Sequence, residues 1–326
     1  MYAPRHPERP RGSRRVLIVG RSRLPERDQP RPRRGFSFLT ALFVSFATVP
    51  ASARGAAGAS AVARTPSGPP RRIVALAPSC AEILFALGAA PRVVGVSDFA
   101  RGLPEAQGKT PVGGFAPDLE RIALLSPDLV VVSKDGTDLA AVRRLESLGY
   151  PVLVTDAESL DGVLRDVRAV GRAVGETAGA EALVRKLGAR IAAAEARARA
   201  RAGPPLTGIA VVWPDPPVLA GPRTFVGDLL ARARLANSAP ENAGLWPRVS
   251  FETLAAWDPR VLVRPETPEN RDVFAKSFAA DGRWRVVRAA REGRVIVLAG
   301  DLFERPGPRL VDALELLVKA LEARAW

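Results

Sequence analysis

The sequence predicts an α/β protein of two lobes with mainly parallel sheets, joined by one long rigid α-helix. Three observations carry this. Short apolar runs such as Ile73-Val74-Ala75-Leu76 and Val93-Val94-Gly95-Val96 alternate with helix-length segments, the pattern of a parallel sheet covered on both faces. Between residues 176 and 202, Ala180, Leu183, Val184, Leu187, Ile191, Ala194 and Ala198 recur at three- and four-residue steps, a narrow apolar stripe. At 1.5 Å per residue such a helix spans about 40 Å, longer than an ordinary crossover helix. After it the strand–helix alternation resumes. The implied organisation is a first lobe over 71–175, a linking helix over 176–203 and a second lobe over 204–326.

Taken in order, the chain opens on an Arg- and Pro-rich lead, followed by an apolar run over 36–49 and then Ala51-Ser52-Ala53, a small-x-small cleavage site. This predicts a secretory signal peptide over 1–53, cleaved after Ala53, because the run is too short to span a bilayer. Arg33-Arg34 resembles a twin-arginine signal. No cysteine follows the run closely enough to accept a lipid, so a periplasmic protein without a lipid anchor is expected. Residues 54–70, rich in Ala, Gly, Ser and Pro, form a tether.

Residues 73–76 are the first strand. Ser79-Cys80-Ala81-Glu82 has the form of a capping box opening a helix over 80–87, with Gly88 as its stop. A strand over 93–96 leads into a Gly- and Pro-rich loop over 98–117. Helices over 119–125 and 139–148 feed strands over 129–132 and 152–154, and a helix over 160–174 closes the lobe. In the long helix Glu181 precedes Arg185, and Glu195 precedes Arg199, by four residues, the favourable order for ion pairs on a helix face. Gly203-Pro204-Pro205 ends it. Beyond it, strands over 209–212, 261–263 and 295–298 alternate with helices over 225–233, 251–256, 273–279 and 310–323.

Composition excludes several classes. The net charge is +14, but residues 1–53 hold eleven arginines against three acids, so eight of those charges lie in the segment expected to be removed. The remaining Arg residues are scattered, and no nucleic-acid-binding signature is present. Cys80 is the only cysteine, so no internal disulfide forms. The only histidine is His6, in the expected signal, and Tyr150 is the only tyrosine beyond it, which disfavours His-ligated zinc or manganese and His- or Tyr-ligated haem. No Ser-His-Asp triad, phosphate loop or dinucleotide fingerprint can be built, so no catalytic residue, metal ligand or cofactor is assigned.

An internal echo is the most specific signal. Asp118-Leu119-Glu120 is followed by Pro127, seven residues after the Glu, and then by a strand; Ser250-Phe251-Glu252 is followed by Pro259 at the same spacing and again by a strand. A single acid in a first helical turn needs only the helix dipole, worth about 0.3–1 kcal/mol. Two at matching places in two lobes make a pair of acidic knobs suited to a two-fold symmetric partner.

From Ile73 onward the chain resembles the periplasmic cobalamin-binding proteins of ABC importers, part of a wider group of helix-linked binding proteins that also carry siderophores and haem. The motifs are Gly300-Asp301-Leu302-Phe303-Glu304-Arg305, Trp246-Pro247-Arg248-Val249-Ser250, and Leu119-Glu120-Arg121-Ile122 leading to Pro127-Asp128-Leu129. The resemblance implies a monomer that captures a corrinoid in a cleft and docks on a permease dimer through Glu120 and Glu252. It implies ligand contacts from Phe99, Trp213, Trp246, Asp301, Phe303 and Arg305, and from Cys80 in the loop after the first strand; read from the residues alone, Trp213 and Phe303 also suit a core, Asp301 and Arg305 a structural ion pair, and Cys80 a buried small hydrophobe. Where the family pattern has a Trp before the first docking Glu, this chain has Gly114 with Phe115 adjacent; either Phe115 takes over that packing or the pocket is more open on that side. A ferric siderophore is the alternative ligand, for which Arg101, Arg223 and Arg248 are the candidate cations. An exported scaffold or sensor domain is a third reading.

Overall fold

The structure is a computed structural model that describes residues 68–267, 270–303 and 305–324. The expected signal peptide and nearly all of the tether lie outside these residues. In the first lobe the elements run β1 (Ile73–Ala75), α1 (Pro78–Ala86), β2 (Val93–Val96), β3 (Thr110–Pro111), α2 (Leu119–Leu125), β4 (Leu129–Ser133), α3 (Leu139–Ser147), β5 (Val152–Thr155) and α4 (Leu160–Ala173). The strands form one parallel sheet in the order β3-β2-β1-β4-β5. Helix α5 (Thr177–Ala200) follows, 24 residues and about 36 Å long. The second lobe comprises β6 (Leu206–Pro214), β7 (Pro217–Leu219), α6 (Phe225–Arg232), β8 (Leu235–Asn237), α7 (Phe251–Ala256), β9 (Val261–Glu266), α8 (Arg271–Ala280), α9 (Arg288–Arg291), β10 (Val295–Ala299) and α10 (Leu310–Glu322). Its sheet runs β10-β9-β6-β7 with β8 also on β6, parallel except for the β6–β7 hairpin.

Alternation along the strands divides the apolar residues between two layers. In β1, Ile73 and Ala75 face a large core shared with α1, α4, α5, α6 and α10, while Val74 faces a smaller one with Ile122, Val142 and Leu145. In β6, Ala210 faces the large core, while Ile209 and Val211 face a third cluster with Phe251, Phe274 and Trp284. The large core therefore runs through both lobes, with α5 along it. Ala180, Val184, Leu187, Ile191, Ala194 and Ala198 of α5 are buried there.

Ion pairs fix α5 at both flanks. Arg190 reaches Asp312 and Glu315 of α10 at 2.6 Å each, and Arg197 pairs with Glu322. Arg232 of α6 binds Glu195 of α5 at 2.6 Å, Asp161 of α4 at 2.7 Å and its own neighbour Asp228 at 2.9 Å.

Several helix starts are capped by the residues that occupy the N-cap positions. Asp118 accepts from the Arg121 amide at 2.9 Å, Ser159 from Gly162 at 3.0 Å, and Ser250 from Thr253 at 3.2 Å. Helix α1 departs from its expected start. It begins at Pro78, whose fixed φ suits the first helical position, and Ala77 stands at the N-cap with no side-chain bond. Ser79 and Glu82 therefore lie inside the helix and form no capping box. Strands β3, β7 and β8, two or three residues each, were not expected, being too short to show periodicity.

Candidate ligand-binding cleft

The carboxyl ends of the parallel strands of both lobes open towards one another, where ligands of open α/β sheets collect. From the first lobe, β1 delivers Ala77, Pro78 and Ser79, and β4 delivers Ser133, Asp135 and Gly136. From the second, Val212 of β6, Phe225 and Val226 at the start of α6, Trp246, Pro265 of β9, and Phe303, Arg305 and Pro306 complete a cavity of about 320 Å³. Its wall is largely apolar and aromatic, and Arg305 is the one cationic side chain among the residues lining it.

Trp246 is held by its neighbours' backbone. The Gly221 amide donates to Leu245 O at 2.8 Å and the Leu219 amide to Pro247 O at 3.0 Å. A β-carbon at Gly221 would collide with Gly244 O, so this close approach requires glycine. The indole stands edge-on to Phe225, centroids 5.9 Å apart, and is 40% exposed. Together they present a partly open aromatic wall.

Arg305 sits at the seam of the lobes. Its Nη1 lies 3.5 Å from Oε1 of Glu82 on α1, and Arg309 Nη1 lies 3.8 Å from the same oxygen. Arg309 also donates to Asp301 at 3.1 Å. Glu82 is buried, and burial pushes its carboxyl up to about 7 despite the two guanidinium groups, which pull it down.

Of the residues expected in the site, Trp246, Phe303 and Arg305 come together in this cavity. Five do not line it. Cys80 is wholly buried in the core, its Sγ 3.6 Å from the Thr155 hydroxyl, and burial pushes its thiol up to about 12. Helix α1 starts early enough to carry Cys80 away from the loop where a ligand would meet it. Trp213 follows Val212 on β6, and strand alternation turns it away from the cavity; its Nε1 donates to Asp215 O at 3.1 Å. Asp301 is engaged with Arg309. Phe99 and Phe115 are 41% and 44% exposed, beside the cavity rather than in it. The Asp138 amide donates to Phe115 O at 2.9 Å, tying that loop to the 133–136 segment of the wall. Phe99, not Phe115, covers Gly114: a β-carbon there would come within 2.9 Å of the Phe99 ring. Arg101, Arg223 and Arg248 are exposed and outside the lining.

Glu120 and Glu252 are both exposed in the first turns of α2 and α7. Leu124, one turn after Glu120, is 85% exposed. Glu82 and Phe225 were not anticipated. The signal for Glu82 was present: a lone acid among the apolar residues of Pro78-Ser79-Cys80-Ala81-Glu82-Ile83-Leu84 belongs to a buried pair more naturally than to a cap.

The family model described as periplasmic binding protein matches residues 73–302. A cobalamin-binding protein of Halobacterium salinarum is 31% identical over 284 residues, covering 80% of this chain and 72% of the relative. A protein of Bacillus subtilis described as an uncharacterized ABC transporter substrate-binding lipoprotein is 28% identical over 257 residues, covering 77% of this chain and 80% of the relative. The solved structure of a periplasmic haem-binding protein from Roseiflexus superposes with a TM-score of 0.69 at 29% identity, over 78% of this chain and 98% of the other. The chain therefore belongs to the periplasmic binding protein family, which binds rather than transforms its ligands, and is an extracytoplasmic substrate-binding protein of an ABC transporter.

Proposed function

We propose that the protein captures a large preformed chelate, cobalamin or a related corrinoid, between its lobes and delivers it to a permease dimer in the inner membrane. The observation that carries this is a largely apolar cavity in which the exposed Trp246 indole, backed by the buried Phe225 and Phe303, shares the lining with the single cation Arg305. Such a surface suits a broad, partly apolar macrocycle fringed with amide groups: the indole packs on its face, and the guanidinium donates to peripheral carbonyls. The cobalamin-binding relative supports the same reading. Arg101, Arg223 and Arg248 stand outside the lining, which weighs against the anionic ferric siderophore. A haem held by His or Tyr finds no His beyond His6, and Tyr150 packs on the outer layer of the first lobe.

Glu120 and Glu252 are the proposed docking points, one on each lobe, and the protein acts as a monomer. Export with cleavage after Ala53 is part of this reading. Cys80, the sole cysteine, is buried and does not serve as a lipid acceptor. Co-elution of cyanocobalamin with the purified protein on gel filtration tests the ligand. Trp246→Ala and Arg305→Ala are each expected to weaken binding about tenfold, the equivalent of roughly 1.4 kcal/mol. Co-elution of haemin or a ferric hydroxamate instead would overturn the corrinoid assignment.

A further inference from the structure

A carboxylate with an unpartnered oxygen is buried where the two lobes meet. Glu82 is 6% exposed; among the described residues its Oε1 makes only the 3.5 and 3.8 Å contacts to Arg305 and Arg309, and its Oε2 has no hydrogen-bond partner. Gly307 closes over that oxygen so nearly that a β-carbon at 307 would stand 2.7 Å from it. Among the described residues, the charges that act most on Glu82 come from the other lobe: Arg305, Arg309 and Asp301. On α1 itself the only other titratable group is Cys80, and Asp166 of the adjoining α4 acts on Cys80.

A structural ion pair in such a place closes to about 2.8 Å and engages both carboxylate oxygens. This one does neither. The Arg305 side chain has, among the described residues, one hydrogen bond, the long one to Glu82, and it lines the cavity. Its guanidinium is aimed and only loosely held.

We propose that Glu82 is the positioning residue for Arg305: it holds the guanidinium at the cleft floor in the ligand-free protein and yields it to a carbonyl or carboxylate oxygen of the ligand. This rests on the interlobe cavity being the ligand site. As Arg305 turns to the ligand, Glu82 loses its nearest counter-charge in a place already short of water. The carboxylate then takes up a proton from solvent, and a neutral acid remains. Since the group already titrates at about 7 without ligand, its midpoint rises on binding. Affinity accordingly strengthens as pH falls from about 9 to about 7 and levels off below, where both states are protonated.

The test has two arms on the full chain. With carbon-13-labelled glutamate, and Glu82→Gln to assign the resonance, Glu82 of the ligand-free protein should titrate near neutrality, with a higher midpoint in Arg305→Gln. A midpoint among the ordinary carboxylates, or one that Arg305→Gln leaves unmoved, would overturn the proposal. In the second arm, wild-type affinity for cyanocobalamin should improve at least threefold between pH 9 and pH 7, and Glu82→Gln should bind with no such dependence. An identical pH profile in both proteins would also overturn it. Failure of cyanocobalamin to bind at any pH strikes the corrinoid reading, and the ligand-free titration still decides for or against Glu82. Should Glu82→Gln fold poorly, Arg305→Gln reports the same coupling from the other side.

Discussion

Glu82 gives the protein's stability a pH dependence of the opposite sign to that of most native carboxylates. Its folded value is raised from 4.5 to about 7, so between those values the native state holds a proton that the unfolded chain has released. Stability from this group is full below about pH 4.5 and is lost as pH rises through about 7, by about 3 kcal/mol at most. Urea unfolding at pH 5 and pH 8 is expected to show that loss in the wild type and to show it much reduced in Glu82→Gln; equal losses would contradict it. The candidate site was legible where a side chain's chemistry speaks for itself. Trp246, Phe303 and Arg305 are large or charged residues in specific motifs, and they do converge. Cys80 and Trp213, which the residues alone also allowed as core positions, lie outside the cavity lining for geometric reasons: one depends on where α1 begins, the other on its setting in β6. Glu82 was hidden because its partners lie more than 200 residues away in the other lobe.

At the scale of elements, the junction of α4 and α5 depends on small residues. A β-carbon at Gly171 would fall inside contact distance of Ala180, so Gly171→Ala is expected to destabilise by about 1–3 kcal/mol through overpacking. Gly188, in the middle of α5, has open space around its absent side chain, and Gly188→Ala is expected to stabilise by roughly 0.5–1 kcal/mol through helix propensity. Urea denaturation midpoints of the two variants should move in opposite directions. Helix α5 itself was readable because its stripe, from Ala180 to Ala198, is a local periodicity sustained over about five turns. The short strands β3, β7 and β8 were not, since their existence depends on pairing with β2 or β6. Neither were the contacts of Arg190 and Arg197 with α10, which join residues 122 to 125 positions apart.

Across the whole molecule, a core continuous through both lobes and a stapled α5 leave little freedom for hinge motion, so capture proceeds with limited closure. On the proposed docking through Glu120 and Glu252, the permease would recognise the protein by its surface charges rather than by a large change of shape. Reversing both, as Glu120→Lys with Glu252→Lys, is expected to abolish importer-dependent uptake while leaving ligand affinity within about twofold, well under 1 kcal/mol. Persistent uptake would remove the docking assignment. The paired acids were legible because the repeat of Asp118-Leu119-Glu120 in Ser250-Phe251-Glu252 is a relation within the sequence. What the cleft carries rests on a three-dimensional surface that no repeat records. The most direct measurement is therefore calorimetric titration of the purified protein with cyanocobalamin, alongside haemin and a ferric hydroxamate. The account predicts one-to-one binding of cyanocobalamin alone, weakened about tenfold in Trp246→Ala. Binding of haemin or the siderophore with no heat from cyanocobalamin would contradict it.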